Sequence, residues 1–310
     1  MTEPRSATVL VNPAARGVSE RFDGSRIVRY LGRRGIEARL TVPSAPLEAI
    51  REAAQSATRG DDLLFVIGGD GSVRDAALGL AGSTTALAAV PAGTVNVWAK
   101  EAGIPHGLRA AVDAHITGQS VHIDLGRAAG QCFLLMAGIG WDAQVARNVA
   151  PWLKRHLGDL AYVTQAGWML PQLRPTPTRW RAAGEWMEEP LAWMVLGNTR
   201  LYGGRIHLTP DAAIDDGKLD LIALCPRNVL EGARLAAKVA VAHFRDDPRV
   251  FEQRSHEVHI ETPGLPVQMD GDFAGETPMT FSADPAALLV SIPGGRLARI
   301  FTRPHIDRRR

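Results

Sequence analysis

Only two cysteines occur in 310 residues, Cys132 and Cys225; they stand far apart and form no C-x-x-C pair. That excludes a disulfide scaffold and a cysteine zinc site, and a reducing cytosol fits best. No run of 18 apolar residues exists to cross a bilayer as a helix, and Met1 to Arg16 lacks the charged-then-apolar pattern of a signal peptide. The expectation is a cytoplasmic protein whose membrane contact, if it has one, is peripheral. Charge of one sign is scarce too: 35 Lys and Arg against 33 Asp and Glu leave a formal net charge of +2. Such a balance does not argue for a nucleic-acid partner, although a pI near 8.7 permits weak attraction to anionic surfaces. The one dense basic run, Arg308 to Arg310, reads either as a solvated tail or as a contact with anionic lipid headgroups. Histidines show no metal spacing beyond His256 and His259, which a strand points to opposite faces. Internal repeats and low-complexity tracts are absent as well.

What is present is an ordinary globular composition, 45% hydrophobic and 22% charged, in a length suited to one large or two medium domains. The first third alternates strand-like runs (Thr8 to Val11, Ala38 to Val42, Leu63 to Ile67, Ala86 to Val90) with helix-length amphipathic segments (Arg26 to Arg34, Pro46 to Thr58, Val73 to Ala81). That alternation predicts right-handed βαβ units and a parallel sheet. Beyond about Val121 the pattern changes to strands separated by Gly, Pro and Asp turns: Cys132 to Ala137, Ala192 to Gly197, Arg205 to Leu208, Lys218 to Leu224, Glu257 to Glu261, Val267 to Asp270, Met279 to Ser282 and Leu288 to Ile292. Helical interruptions are expected at Asp142 to Leu173 and Asn228 to Phe244. The fold class is therefore α/β + β. A doubly wound α/β domain takes residues 1–125, an antiparallel β-sandwich takes 126–292, and the segment 293–310 is a candidate to return to the first domain.

Chemistry is suggested first by Gly68-Gly69-Asp70-Gly71-Ser72, a glycine-rich turn between the strand ending at Ile67 and the helix from Val73. Glycines let the backbone approach phosphate oxygens, and a helix N-terminus adds partial positive charge. Asp70 at the centre would repel a bare anion, so it argues for a metal–nucleotide pair. The bland alternative is a tight turn capped by Asp. A second loop, Pro91-Ala92-Gly93-Thr94-Val95-Asn96, and a third, Asn12-Pro13-Ala14-Ala15-Arg16, follow strands on the same predicted sheet edge, where doubly wound folds bind ligands. Gly138-Ile139-Gly140-Trp141-Asp142-Ala143 nominally fits a dinucleotide fingerprint, which keeps an NAD(P)-dependent oxidoreductase as a rival. No convincing βαβ continuation with a ribose-binding acid follows it. Asp270, before Gly271, reads by itself as a hairpin-turn residue. The stripe Val145, Val149, Trp152, Leu153, Leu157, Leu160 and Ala161, with Arg147, Lys154 and Arg155 nearby, either packs on the core or lies in a headgroup boundary.

Taken in order, seven anchors make the chain resemble the bacterial diacylglycerol kinase-like lipid kinases, relatives of diacylglycerol and sphingosine kinases. They are Asn12-Pro13, the 68–72 turn, the 91–96 loop, His122-Ile123-Asp124-Leu125-Gly126, the 138–143 run, Pro210-Asp211-Ala212 with Asp215-Asp216-Gly217-Lys218-Leu219-Asp220, and Gln268-Met269-Asp270-Gly271-Asp272. The resemblance implies a nucleotide domain like that of NAD kinase and phosphofructokinase, a C-terminal β-sandwich, and ATP in a cleft between them. It puts Asn12, Thr41, Gly68, Gly69, Asp70, Gly71, Ser72 and Thr94 around ATP, and Asp70 and Asp124 on a catalytic Mg²⁺; Asn96, from the second loop, is expected on the same phosphate chain, and Arg16 offers a basic side chain one place before where some relatives carry theirs. It makes Asp270 the general base for a lipid hydroxyl. A structural Mg²⁺ is implied at the Asp216 carboxylate and the carbonyls of Ala213 and Lys218. The implied partner is a lipid substrate at a membrane surface; a homodimer is left open. Ser72 replaces the usual threonine and keeps its hydroxyl. Val97 stands where the family usually carries Asp, so one carboxylate of the metal network is missing. That departure keeps open a catalytically impaired nucleotide- or lipid-binding member of the same fold, while a kinase for a soluble acceptor such as NAD is disfavoured by the 268–272 and 215–220 segments.

Overall fold

Three strands near the N-terminus are buried along nearly their whole length: β1 (Ser6–Val11), β3 (Leu63–Gly68) and β4 (Ala86–Pro91). Continuous apolar runs of this kind suit the interior of a parallel sheet covered on both faces. The computed structural model describes residues 4–18, 22–148 and 175–302. The chain divides into two units, one running to Asp124 and resuming at Pro285, the other spanning Leu125–Asp284. The divisions fall at 124/125 and 284/285, where the sequence alone suggested 125/126 and 292/293.

In the first unit β1 lies between β2 (Glu37–Thr41) and β3, β3 pairs with β4, and every one of these pairings is parallel. The helices α1 (Ser25–Gly32), α2 (Pro46–Arg59) and α3 (Asp70–Leu80) connect successive strands, and α4 (Val97–Glu101) and α5 (Leu108–Ile116) follow β4. The chain steps from β1 outward to β2 and then back past β1 to β3. Right-handed crossovers consequently put α1 on one face and α2 and α3 on the other, and the last two pack together. Direction reverses between β1 and β3, which makes the carboxyl ends of those two strands the topological switch point. Near the end of the chain Val290 pairs in parallel with Leu87, adding one more strand beside β4.

The second unit is antiparallel. Its strands are β5 (Gln119–Ala128, which begins in the first unit), β6 (Gln131–Phe133), β7 (Met136–Gly140), β8 (Thr176–Ala182), β9 (Glu185–Leu191), β10 (Trp193–Gly197), β11 (Leu201–Tyr202), β12 (Ile206–His207), β13 (Leu219–Leu224), β14 (Val250–Ser255), β15 (Glu257–Ile260), β16 (Pro266–Met269), β17 (Asp272–Glu276) and β18 (Met279–Ile292). One layer has the order β14-β13-β10-β7-β16-β17; the other includes β9-β8-β15 and the first part of β18. Ile139, Met194, Leu196, Leu221 and Val267 from the first layer meet Trp180, Val258 and Phe281 from the second in one buried core, the packing of a sandwich.

Several elements differ from expectation. The segments Met279 to Ser282 and Leu288 to Ile292 belong to one strand that continues through Pro285, with Ala286 at a φ of 54°. This irregularity, a residue lacking an N–H followed by one in the left-handed region, coincides with the passage from the second unit to the first. Only Ile206–His207 of the expected strand at 205–208 is extended. Helix α6 (Trp141–Asn148) opens the expected helical stretch at 142–173; the rest of that stretch lies outside the described residues. So do Val149 to Ala161 of the apolar stripe and the terminal arginines, whereas Val145 is buried and Arg147 pairs with Glu276 at 3.1 Å.

Candidate active site

The three loops named from sequence in the first unit are tied to one another. Asn12, just past β1, donates through Nδ2 to Ser72 Oγ at 2.7 Å, and its backbone N–H reaches Ile67 O at 3.0 Å. Its Oδ1 accepts from Ala14 N at 2.9 Å, which shapes the third loop. Gly17 N donates to Ala92 O at 2.8 Å and Ala92 N to Gly68 O at 2.9 Å, joining the 12–17, 68–72 and 91–96 segments. The two glycine turns sit back to back. A Cβ on Gly93 would lie 2.5 Å from Gly69 Cα, and one on Gly68 would lie 2.5 Å from Ser72 Oγ. Space, rather than unusual φ, is what demands glycine at these positions. Asn96, at a φ of 53°, closes the second loop by exchanging two 2.9 Å hydrogen bonds with Gly93.

Helix α3 begins at Asp70, three residues earlier than expected, so Asp70, Gly71 and Ser72 form its first turn. First-turn amides have no intrahelical partner and carry the positive end of the helix dipole. Gly71 is exposed, with nothing near the position of a Cβ. The Asp70 carboxylate is engaged: Oδ2 accepts from Val97 N at 2.9 Å and Oδ1 from Trp98 N at 3.0 Å, so it caps α4 across the two loops. The bland reading of Asp70 as a capping residue thus holds, though for a helix other than the one it begins. Val97 itself is buried. Thr94 and Arg16 are exposed on their loops, while Thr41 is half-buried at the end of β2, in register with Leu10 of β1. Asp124 is buried in β5, and its Oδ1 accepts from Ala286 N at 2.8 Å.

In the second unit Asp270 and Gly271 form the two-residue turn between β16 and β17, at φ values of 49° and 85°. Positive φ at both positions is the Asp-Gly hairpin geometry. Asp270 does more than turn the chain. Its Oδ2 accepts from Leu134 N at 2.8 Å, and its Oδ1 from Leu135 N at 2.8 Å and Met136 N at 3.0 Å. Asp270 N returns a bond to Met136 O at 3.0 Å. Three amide donors stabilise the ionised side chain and fix its direction. Two buried residues missed in the sequence stand behind this turn, Asp142 and Gln268. Gln268 Nε2 donates to Asp142 Oδ2 at 3.1 Å, and Gln268 Oε1 accepts from Gly271 N at 2.7 Å. Both residues lie in motif runs, but only the pairing of β7 with β16 brings those runs together. That same pairing removes the dinucleotide reading of Gly138 to Ala143, because β7 is antiparallel to both neighbours and no βαβ unit exists there.

In the 211–220 turn Asp211 pairs with Arg245 at 2.7 Å, while Asp216 and Asp220 share Arg254. Asp216 Oδ1 accepts from Lys218 N at 3.0 Å; Arg254 lies 3.3 Å from Asp216 Oδ2 and 3.1 Å from Asp220 Oδ1. Asp220 Oδ2 is buried without a partner, and burial, only partly offset by Arg254, pushes its carboxyl up to about 6. Ala213 is buried in the same turn. No group of three or more His, Cys, Asp or Glu side chains among the described residues is arranged to hold a metal ion.

Residues 6–128 match the diacylglycerol kinase catalytic domain, and residues 136–292 match the YegS C-terminal NAD kinase beta sandwich-like domain. The chain is 34% identical over 296 residues to a diacylglycerol kinase of Mycobacterium tuberculosis, covering 92% of this chain and 94% of that protein. It is 28% identical over 281 residues to a diacylglycerol kinase of Bacillus subtilis, covering 89% and 93%. A crystal structure of a diacylglycerol kinase from Bacillus anthracis shares the fold with a TM-score of 0.71 at 20% identity, covering 94% of this chain and 98% of that one. Two domain matches that run consecutively along the chain, and a relative aligned almost end to end, establish that the protein belongs to the bacterial diacylglycerol kinase-like family of lipid kinases.

Proposed function

We propose that this enzyme transfers the γ-phosphoryl group of ATP, with Mg²⁺, to a hydroxyl of diacylglycerol or a related lipid, and that Asp270 accepts the hydroxyl proton. The observation that carries the nucleotide half is the glycine contact at the switch point. A Cβ on Gly93 would lie only 2.5 Å from Gly69 Cα, so the two loops meet backbone to backbone, and first-turn amides of α3 emerge beside them. A backbone surface of this kind suits phosphate oxygens. Asn12 and Ser72 brace it from the side, and the Asn96–Gly93 ring holds the second loop in shape.

Mg²⁺ takes hard oxygen ligands, keeps several waters and is commonly held by one or two carboxylates together with substrate phosphates. Asp70 and Asp124 are carboxylates of the kind such an ion takes, each ordered by backbone amides. When bound, the ion would neutralise charge on the phosphate chain. At the 211–220 turn the Asp216 carboxylate with the Ala213 and Lys218 carbonyls would hold a second ion, and the unpartnered Asp220 Oδ2 beside them fits a missing cation. Phosphoryl transfer asks little covalent chemistry of the protein, so an aspartate whose charge is already stabilised by three amides suffices as a base. The acceptor hydroxyl gives its proton to Asp270 as its oxygen bonds phosphorus and the bond to the ADP oxygen breaks.

Val97 supports a second reading, a family member that binds nucleotide or lipid without turnover, because a buried apolar side chain stands where relatives carry a metal-network acid. One experiment separates the two. Purified protein is incubated with labelled ATP and Mg²⁺ against diacylglycerol, sphingoid, polyprenol and glycolipid acceptors, with a chelated control. Labelled diacylglycerol, lost on chelation, is the expected result; label in no acceptor despite measurable nucleotide binding would sink the kinase reading in favour of the second. A peripheral contact with the membrane surface follows from a lipid acceptor, and no described helix is long and apolar enough to cross a membrane.

A further inference from the structure

Asp142 has no part in the chemistry outlined so far, yet it is buried at 4% exposure in the first turn of α6. Burying a carboxylate is unfavourable; the Ala143 amide and the side chains of Trp193 and Tyr202 offset part of the cost, and one contact offsets most. That contact is Gln268 Nε2 at 3.1 Å, and Gln268 is itself 4% exposed. A glutamine side chain has a donor end and an acceptor end, and its neighbours decide which faces where. With Asp142 accepting from Nε2, Oε1 must face the other way, and there it receives Gly271 N at 2.7 Å. Were the amide reversed, its NH₂ group would oppose the Gly271 N–H and its oxygen would oppose the carboxylate. Room for the pair exists only because residue 138 is glycine: a Cβ there would lie 2.0 Å from Asp142 Oδ2 and 2.5 Å from Gln268 Nε2.

We infer that Asp142 is a positioning residue for the phosphoryl acceptor side. Through the orientation of the Gln268 amide it fixes the Asp270–Gly271 turn and thereby aims the Asp270 carboxylate. The inference rests on Asp270 as the base. Asp270 and Gly271 both adopt positive φ, a geometry that an Asp-Gly pair accepts and that the surroundings here hold in one arrangement. Two anchors supply that hold. One is the clamp of the Asp270 carboxylate on the amides of residues 134–136, and the other is Gln268 on Gly271 N. Removing the second leaves the turn free to relax, and the carboxylate clamp loosens with it.

The test uses Asp142→Leu, which removes the acceptor while filling the buried space, and Asp142→Asn, whose Oδ1 can still accept from Gln268. Hydrogen exchange at Leu134, Leu135 and Gly271, kcat with diacylglycerol and KM for ATP are measured in the full-length protein. Thermal midpoints are recorded alongside. In the Leu variant, exchange at those amides is expected to rise at least tenfold and kcat to fall at least tenfold, with KM for ATP unchanged; the Asn variant is expected to restore most of both. Unchanged exchange at 134, 135 and 271 would overturn the inference whatever the activity. Faster exchange with full kcat would uphold the positioning link and instead remove Asp270 as the base. A general rise in exchange across the second unit, not confined to these amides and not rescued by Asn, would reduce Asp142 to a structural residue and also overturn it. Should the Leu variant fail to fold, Gln268→Leu cuts the same link from the other side and is read by the same measurements.

Discussion

In the first unit the candidate site is made mostly of backbone, whereas in the second it is made of buried polar side chains. Gly68, Gly69 and Gly93 matter for the side chains they lack, and Asp70 spends both oxygens capping α4. Asp270, Gln268 and Asp142 instead form a chain of side-chain hydrogen bonds behind one tight turn. The difference follows from sheet type. A parallel sheet presents loops together at one edge, so a ligand meets strand ends and helix N-termini. An antiparallel sheet pairs distant strands along their length, so groups far apart in sequence meet inside it. The lesson is that one unit gathers backbone amides at a sheet edge, and the other orders a single carboxylate through buried side chains.

The largest test of that contrast is Asp270→Asn. Turnover is expected to fall by about 10²–10⁴-fold, the range for losing general base catalysis, while nucleotide binding measured by calorimetry stays near its original strength. Unchanged turnover would remove Asp270 from the mechanism. On the other side, Gly93→Ala drives a Cβ into Gly69 Cα. If the loops separate enough to lose one amide bond to phosphate, about 1.5–3 kcal/mol, ATP affinity drops roughly ten- to a hundredfold. Gly71→Ala meets no neighbouring atom in the protein, so any loss of ATP affinity there, with stability intact, would locate the nucleotide against that turn.

Acidity should separate the units as well. Burial pushes Asp142 and Asp220, both in the second unit, up to about 6 from an ordinary 3.8. Burial also pushes His115, in the first unit, down to about 4, its ring nitrogens meeting Ala89 O and Ser291 Oγ. Between pH 3.8 and 6 the folded second unit binds more protons at those acids than the unfolded chain does, so this contribution rises as pH falls from 7 to 5. Between pH 6.5 and 4 the unfolded chain binds more protons at His115, so the first unit loses stability over that range. Each effect is on the order of 1–3 kcal/mol. Segment-resolved hydrogen exchange along a urea series at pH 7 and pH 5, corrected for intrinsic rates, is expected to show opposite shifts in β4 and β7. Shifts of the same sign would contradict the assignment.

The smallest effect concerns Asp70. Asp70→Ala should cost about 1 kcal/mol of first-unit stability even without nucleotide, because two α4 amides lose their cap. It should also weaken Mg²⁺-dependent nucleotide binding. Normal Mg·ATP binding in a destabilised protein would leave Asp70 a cap alone.

Much of the first unit was legible because its signals are local. Apolar runs such as Leu63–Gly68 and amphipathic stretches such as Pro46–Arg59 state their own conformation, and their alternation implies the parallel order. The second unit was read less fully. Strand β9, with Glu185, Glu188 and Glu189, exposes charge over most of its length, so no apolar run announces it. The single strand through Pro285 looked like two, because proline normally ends pairing. The site followed the same division: the glycine turns were found, whereas the Asp142–Gln268 pair was not, since 126 residues separate its members.

What the amino-acid order determined alone was the alternation of strands and helices, the change of texture after residue 121, and the turns that glycine, asparagine or an Asp-Gly pair favour. These depend on steric limits and burial patterns within a few residues. Tertiary structure alone decided that Asp70 caps α4, that Asp270 grips three amides of residues 134–136, and that a buried acid orients the glutamine behind it. Each is a hydrogen bond between groups 27 to 136 residues apart. Such bonds have no local signal because their geometry exists only after the sheets have set the register.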